Sequence, residues 1–397
     1  MNFPESVIVL FGMVVAFILT YRFMPSLILI LKQKGLFDEA TGRKIHNGNV
    51  PTMGGLIISS SLIVTFSLFI GFNFEYSVFP QIIASLILML LIGLKDDLVG
   101  TRYCHKIIIQ LIAGFMVVWQ GDLVISNFNG LFNIYETPLW FGWLLTMFII
   151  VVITNAYNLI DGLDGLAGGL GIIVSAFLGL WFLSIGLYPK ALMAFCVSGT
   201  LVGFLVYNWY PAKIFMGDTG SMVVGFAISI LTLSFIQTST TQDVMLMGNH
   251  TPVIAMAALA VPLYDAIRIF LFRSIIDGKP FKPCNRHTHH IILRVVGSQR
   301  IVCLYLYFVQ VLILSFALIF SNVIGVSALY FAVLLLCLIL MPTVGIKRKI
   351  LTRLYHILVQ LSLSQNGKAH LNHRNGKKNG FFVESYDSVS KKINESI

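Results

Sequence analysis

Long apolar runs, each closed by a short polar stretch, dominate this 397-residue chain and decide what it can become. In a bilayer core every backbone amide and carbonyl must find its partner within the segment, so apolar runs of about 18 residues or more read as membrane-crossing helices. Eleven are expected, at 6–31, 54–71, 78–94, 106–120, 139–159, 166–187, 191–208, 221–237, 252–272, 301–320 and 324–342, the fourth being short. With 57% of residues hydrophobic and 11% charged, a soluble domain of this size is excluded. The first run is too long for a signal-peptide core, and neither a basic stretch before it nor a small-residue site after it invites cleavage. The fold class is therefore an all-α polytopic membrane protein.

The formal net charge of +10 sits in short loops and in the tail, which is how membrane orientation distributes it. It forms no nucleic-acid-binding face. One set of alternate loops holds Lys32, Lys34, Arg43 and Lys44, then Lys95, Arg102 and Lys106, then Lys213, then Arg273 to Arg300, then Lys347 to Lys349. The other set has Lys190 alone, and its stretches Gln120–Thr137 and Thr238–Thr251 contain neither Lys nor Arg. The asymmetry puts the N-terminus outside and the C-terminus in the cytoplasm. Residues 1–342 form the membrane domain. Residues 343–363 place apolar positions at helical spacing opposite basic ones, as in a helix lying on anionic lipid. Residues 364–397 are polar and expected to be disordered. The five cysteines are scattered without a CxxC pair, so neither a disulfide framework nor a zinc site is expected.

Four polar clusters stand at run ends, all on the side assigned to the cytoplasm. Asp96 and Asp97 follow the third run; two adjacent carboxylates repel and invite a divalent cation or a shared proton. Asn158, Asp161 and Asp164 are spaced i, i+3, i+6 and would make one polar stripe on a helix, within a glycine-rich stretch suited to close approach of a ligand. Asp218 opens the eighth run, where helix N-terminal amides can also receive phosphate. His287, His289 and His290 follow several basic residues including Arg273, a set suited to phosphates or a sugar. Each has a plainer reading as a helix cap, a packing turn or a basic loop on lipid. Together they describe a site for an anionic, metal-bound substrate at the lipid surface. Lys44, His46, Pro51, Gly54 and Gly55 in the first basic loop could bind phosphate as well. A transporter would carry its polar residues mid-span, and here they stand at run ends.

The order and wording of these clusters resemble the polyprenyl-phosphate N-acetylhexosamine-1-phosphate transferases, within them the undecaprenyl-phosphate N-acetylglucosamine branch of glycosyltransferase family 4. The matching stretches are Arg43-Lys44-x-His46 with Pro51-x-x-Gly54-Gly55, Lys95-Asp96-Asp97, Asn155 to Ala167, Phe215-Met216-Gly217-Asp218-x-Gly220-Ser221, Val261-Pro262-Leu263-x-Asp265, and Arg273 with Pro280-Phe281-x-Pro283 and His287-x-His289-His290. They cover roughly residues 20–320. The phospho-N-acetylmuramoyl-pentapeptide transferases share the aspartates and Pro51 to Gly55, but usually have three histidines in a row where Thr288 interrupts here.

The resemblance implies transfer of N-acetylhexosamine 1-phosphate, N-acetylglucosamine by default, from its UDP-sugar to undecaprenyl phosphate. UMP is released and a cell-surface polysaccharide begun. It implies Mg²⁺, with Mn²⁺ as a substitute, and a bacterial inner-membrane protein with a cytoplasmic active site, with a homodimer as the implied assembly. The expected roles are Asp96 as the base at the lipid phosphate and Asp97 and Asp218 as metal ligands. Asn158, Asp161 and Asp164 would hold the donor or complete the metal site. Arg273, His287, His289 and His290 would hold diphosphate and sugar, and Lys44 and His46 the lipid phosphate.

Overall fold

The computed structural model describes residues 4–36, 50–71, 78–120, 123–241, 248–274 and 287–341. Lys44, His46, the interfacial helix expected at 343–363 and the tail lie outside the described residues. Within them the chain is all-helical, apart from an isolated antiparallel bridge between Asn127 and Glu136.

Thirteen helices follow in order: α1 (Glu5–Lys34), α2 (Gly55–Ile70), α3 (Phe79–Val99), α4 (Tyr103–Gln120), α5 (Leu139–Ile160), α6 (Leu166–Ser184), α7 (Tyr188–Asn208), α8 (Gly217–Thr241), α9 (Thr251–Ala258), α10 (Ala260–Phe272), α11 (Thr288–Val296), α12 (Gln299–Phe320) and α13 (Val326–Leu340). Each expected apolar run contains a helix. Among the described residues six helices, α1, α5, α6, α7, α8 and α12, are long and apolar enough to cross a membrane, and α9 with α10 makes a seventh if the bent pair is one span. The eighth helix is the hub. It is buried along its apolar length, while only a third of the apolar stretch of α1 and of α5 is buried. Exposed Leu, Phe and Trp on the outer helices suit lipid, which gives apolar side chains the environment a soluble core would.

Two features fix the first turn of α8. A methyl group on Gly55 would overlap the Gly220 amide, and one on Gly93 would come 2.5 Å from the Thr219 Cα, so α2 and α3 press on α8 with backbone against backbone. The segment before α8 also pairs with the start of α2. Phe215 N donates to Pro51 O at 2.9 Å, Gly54 N to Phe215 O at 2.9 Å and Gly55 N to Met216 O at 2.8 Å. The Gly54 and Gly55 amides, expected as phosphate donors, are thus committed to protein carbonyls.

The run at 252–272 is two helices meeting at 79°. Pro262 supplies no amide to the carbonyl four residues earlier, so the ladder opens where the bend lies. That bend carries Asp265 toward the histidines of α11.

Candidate active site

The carboxylates gather around the start of α8. Asp97 caps that helix from α3: its Oδ1 accepts from Asp218 N at 2.8 Å, and its Oδ2 accepts from Thr219 N at 3.0 Å and Thr219 Oγ1 at 2.5 Å. Gly217 turns with φ +74°, and a methyl group there would lie 2.8 Å from Asp97 Oδ2. The amides expected to receive phosphate therefore hold Asp97, because a fixed carboxylate already neutralises the positive helix end. Three of about four carboxylate lone-pair positions are taken, leaving one on Oδ1.

Lys106 of α4 stands between two aspartates. Its Nζ donates to Asp96 Oδ2 at 2.7 Å and also to Asp218 Oδ2. Asp96 Oδ1 accepts from Thr101 N at 2.7 Å and from the Thr101 hydroxyl. Burial alone would raise the Asp96 carboxyl, but hydrogen bonds with Asp218, Lys106 and Thr101 outweigh it and bring the pKa down to about 2. A carboxylate held ionised so firmly is a weak proton acceptor at neutral pH, where an effective base needs a pKa near the working pH. In this structure Asp96 is the anchor of Lys106. In the sequence Lys106 stands out only as one of the basic loop residues that set orientation; its partners are 10 and 112 positions away, and no local pattern announces them.

The expected stripe on one helix is broken. α5 ends at Ile160, Asp161 caps it with φ −77° and ψ 53°, and α6 begins only at Leu166 after a turn in which Gly165 takes φ +85°. Asn158 is on the last turn of α5, where its Nδ2 donates to Ser221 Oγ of α8 at 3.0 Å. Asp164 points elsewhere. It is buried, its Oδ2 accepts from Ala212 N at 2.9 Å, and its backbone bonds to Gln299 and Cys303 of α12. It latches the turn to the loop after α7 and to α12.

Asp161 is left beside the acidic cluster. Burial, and then the charges of Asp218, Asp97 and Asp164, push its pKa from the usual 3.8 up to about 8. Between those two values the folded chain keeps a proton that the unfolded chain has released, so the stability held below pH ~4 is lost as pH rises toward ~8. Asp161→Asn should remove that loss. Its melting temperature should match wild type near pH 4.5 and exceed it increasingly up to pH 8, as thermal unfolding in detergent without divalent ions would record. A constant difference across that range would mean that Asp161 is not held protonated.

The histidines meet Asp265. His287 Nδ1 lies 2.8 Å and His289 Nδ1 3.5 Å from Asp265 Oδ2, and Thr288 N donates to Asp265 Oδ1. Arg268 Nε donates to Thr288 Oγ1 at 3.1 Å, and Arg273 Nη2 is 3.5 Å from His287 Nε2. Burial keeps His289 low, and burial with the neighbouring His289 and His287 brings His290 down to about 4, so both are neutral at pH 7. Asp265, His287 and His289 are close enough to hold a metal ion. Two adjoining guanidinium groups oppose a cation there and favour an anion. His289 packs against Gly162, where even a methyl group would overlap Nε2. That contact joins the histidines to the carboxylates in one site, with Asn158, Asp161, Asp218, Lys106 and the Asp265 cluster around it. Asp265 lies inside the apolar run at 252–272 and owes its place to the bend within it.

A family model described as glycosyl transferase family 4 matches residues 79–236. The chain is 35% identical over 302 residues to a probable undecaprenyl-phosphate N-acetylglucosaminyl 1-phosphate transferase of Bacillus subtilis (strain 168), covering 75% of this chain and 81% of that one. It is 30% identical over 292 residues to the undecaprenyl-phosphate alpha-N-acetylglucosaminyl 1-phosphate transferase of Escherichia coli (strain K12), covering 72% and 76%. The protein of that description from Yersinia pestis is 30% identical over 275 residues, covering 67% and 72%.

Proposed function

This chain belongs to glycosyl transferase family 4, and we propose that it transfers N-acetylglucosamine 1-phosphate from UDP-N-acetylglucosamine to undecaprenyl phosphate. The observation that carries the reading is the gathering of Asp96, Asp97, Asp161 and Asp218 with Lys106 at the start of the buried helix α8. A phosphate oxygen of the lipid attacks the sugar-bearing phosphorus of the donor. The new P–O bond forms as the bond to the bridging oxygen breaks, and UMP leaves with that oxygen. Two anions must meet, so neutralising charge is the main task of the site.

The residues fit a divalent cation, because four carboxylates face one lysine, and the charges of Asp218 and Asp97 add to burial in lifting Asp161. Asp218, the remaining lone pair of Asp97 and Asp161 would hold Mg²⁺, which when bound screens phosphate charge and polarises the reacting P–O bonds. Lys106 presents its ammonium where the acceptor phosphate meets Asp96 and Asp218. Arg273, with His287 and His289 set by Asp265, holds the donor diphosphate, and Asn158 positions the sugar-bearing end. Lys44 and His46 serve the lipid phosphate.

The protein is a multi-pass membrane protein. In our reading all eleven apolar runs cross, the N-terminus is outside, and the site opens to the cytoplasm at the inner membrane of a bacterium. The lipid chain then stays in the bilayer while its phosphate meets a soluble nucleotide sugar, and a homodimer is the expected assembly. The test is UMP release by full-length protein in detergent, with undecaprenyl phosphate, Mg²⁺ and a panel of UDP-sugars. Release with UDP-N-acetylglucosamine that stops on chelation supports the reading. Release only with the muramoyl-pentapeptide nucleotide, or with no donor, overturns it.

A further inference from the structure

Gln310 stands in the middle of α12, fully buried among apolar side chains. Its carboxamide lies in the gap between α9 and α10. Oε1 accepts from Val261 N at 3.0 Å, and Nε2 donates to Ala257 O at 2.7 Å and to Ala258 O at 2.8 Å. In an unbroken helix Val261 N would donate to Ala257 O, so the side chain has been inserted into that one hydrogen bond and completes it from both sides. The Ala258 carbonyl would pair with the amide of residue 262, which is proline and has none. One glutamine thus satisfies the three backbone groups that this break leaves open, in surroundings where each unpaired group is costly. The ladder resumes at once, with Leu263 N donating to Leu259 O at 3.0 Å.

The direction of α10 after the break sets where Asp265 stands, four residues beyond Val261. Asp265 in turn holds His287, His289 and the first amide of α11, and His289 rests on Gly162. We propose that Gln310 is a positioning residue for the transferase reaction, holding α10 at its bend so that Asp265 keeps the histidines against the 161–165 turn. This rests on the reading of that site as the place where the donor diphosphate binds. Gln310 touches no reacting atom, and it acts through the bend.

The test uses full-length protein in detergent with Gln310→Leu and Gln310→Glu. Leucine fills the space without polar atoms. Glutamate in its protonated form can accept from Val261 N and donate to one carbonyl, and once ionised it has no proton for either carbonyl. Amide exchange at Val261 in Gln310→Leu should be faster than in wild type. Its kcat should fall by ~10²-fold, the loss typical of a catalytic group displaced by about 1 Å, with a raised KM for the UDP-sugar. The Gln310→Glu enzyme should approach wild type at pH 6 and fall toward the leucine variant by pH 9, beyond any decline of wild type itself. A leucine variant with unchanged kcat and KM, or a glutamate variant that follows the wild-type pH profile, overturns the proposal. If the leucine variant does not fold, the glutamate pH profile decides. If wild-type protein turns over no donor, the functional reading has failed; Val261 exchange then still tests the clamp, and unchanged exchange in the variants overturns it.

Discussion

Asp218→Asn is expected to lower kcat by ~10²–10³-fold, the usual cost of removing one group aimed at charge in the transition state, and to leave the fold intact. Asp97→Asn should lose comparable activity for a different reason. Asp218 shares Lys106 with Asp96 and adds a negative charge to an already crowded cluster, so neutralising it relieves repulsion. Asp97 accepts three donors at the start of α8, and an asparagine there must turn its NH₂ toward at least one of them. An unsatisfied buried donor together with the lost helix-end charge costs about 1–3 kcal/mol. Thermal unfolding in detergent should therefore show a melting temperature close to wild type, or higher, for Asp218→Asn and a clear drop for Asp97→Asn. UMP release separates the two effects. Near-normal Mg²⁺-dependent turnover in Asp218→Asn would remove it from the metal site, and a stable Asp97→Asn protein would contradict its capping role.

How far such residues can be recognised without coordinates depends on what kind of partner they have. The apolar runs were sufficient to locate helices, because in a bilayer an apolar segment has few alternatives to a helix. Clusters at run ends likewise pointed to the site, since carboxylates are kept at a membrane boundary only for a purpose. Two things were hidden. An apolar run is held in the bilayer by its hydropathy alone, so nothing in 252–272 except Pro262 marks a 79° bend, and nothing in the sequence pairs Gln310 of α12 with that break. The second is direction. The i, i+3, i+6 spacing of Asn158, Asp161 and Asp164 suggested one face, yet the helix stops at Ile160 and Asp164 turns to Ala212. Asp96 and Lys106 were visible as charges, while their joint arrangement with Asp218 depends on three helices brought together by packing.

The largest effect away from the carboxylate cluster is expected from Asp265→Asn. Asp265 Oδ2 is an acceptor 2.8 Å from His287 Nδ1, so that nitrogen carries the proton, and Nε2 faces Arg273 Nη2 at 3.5 Å as an acceptor. Asparagine that keeps its oxygen on the Thr288 amide presents its NH₂ to His287. The imidazole must then accept at Nδ1 and carry its proton on Nε2, pointing at a guanidinium that also donates. One acid-to-amide change therefore reverses the tautomer of His287 and pushes Arg273 away, although nothing changes in size. We expect a kcat loss of ~10²–10⁴-fold, the upper end being the cost of a wrong tautomer in a catalytic triad, with a raised KM for the UDP-sugar and little change in that for undecaprenyl phosphate. The donor-only change in KM is the decisive readout, since general loosening of α10 would affect both substrates. A double variant with Arg273→Lys should lose less than the product of the two single losses, because each single change already disrupts the same pair. Full multiplicative loss would mean that Asp265 and Arg273 act independently, and kinetics within two-fold of wild type would reduce Asp265 to a packing residue.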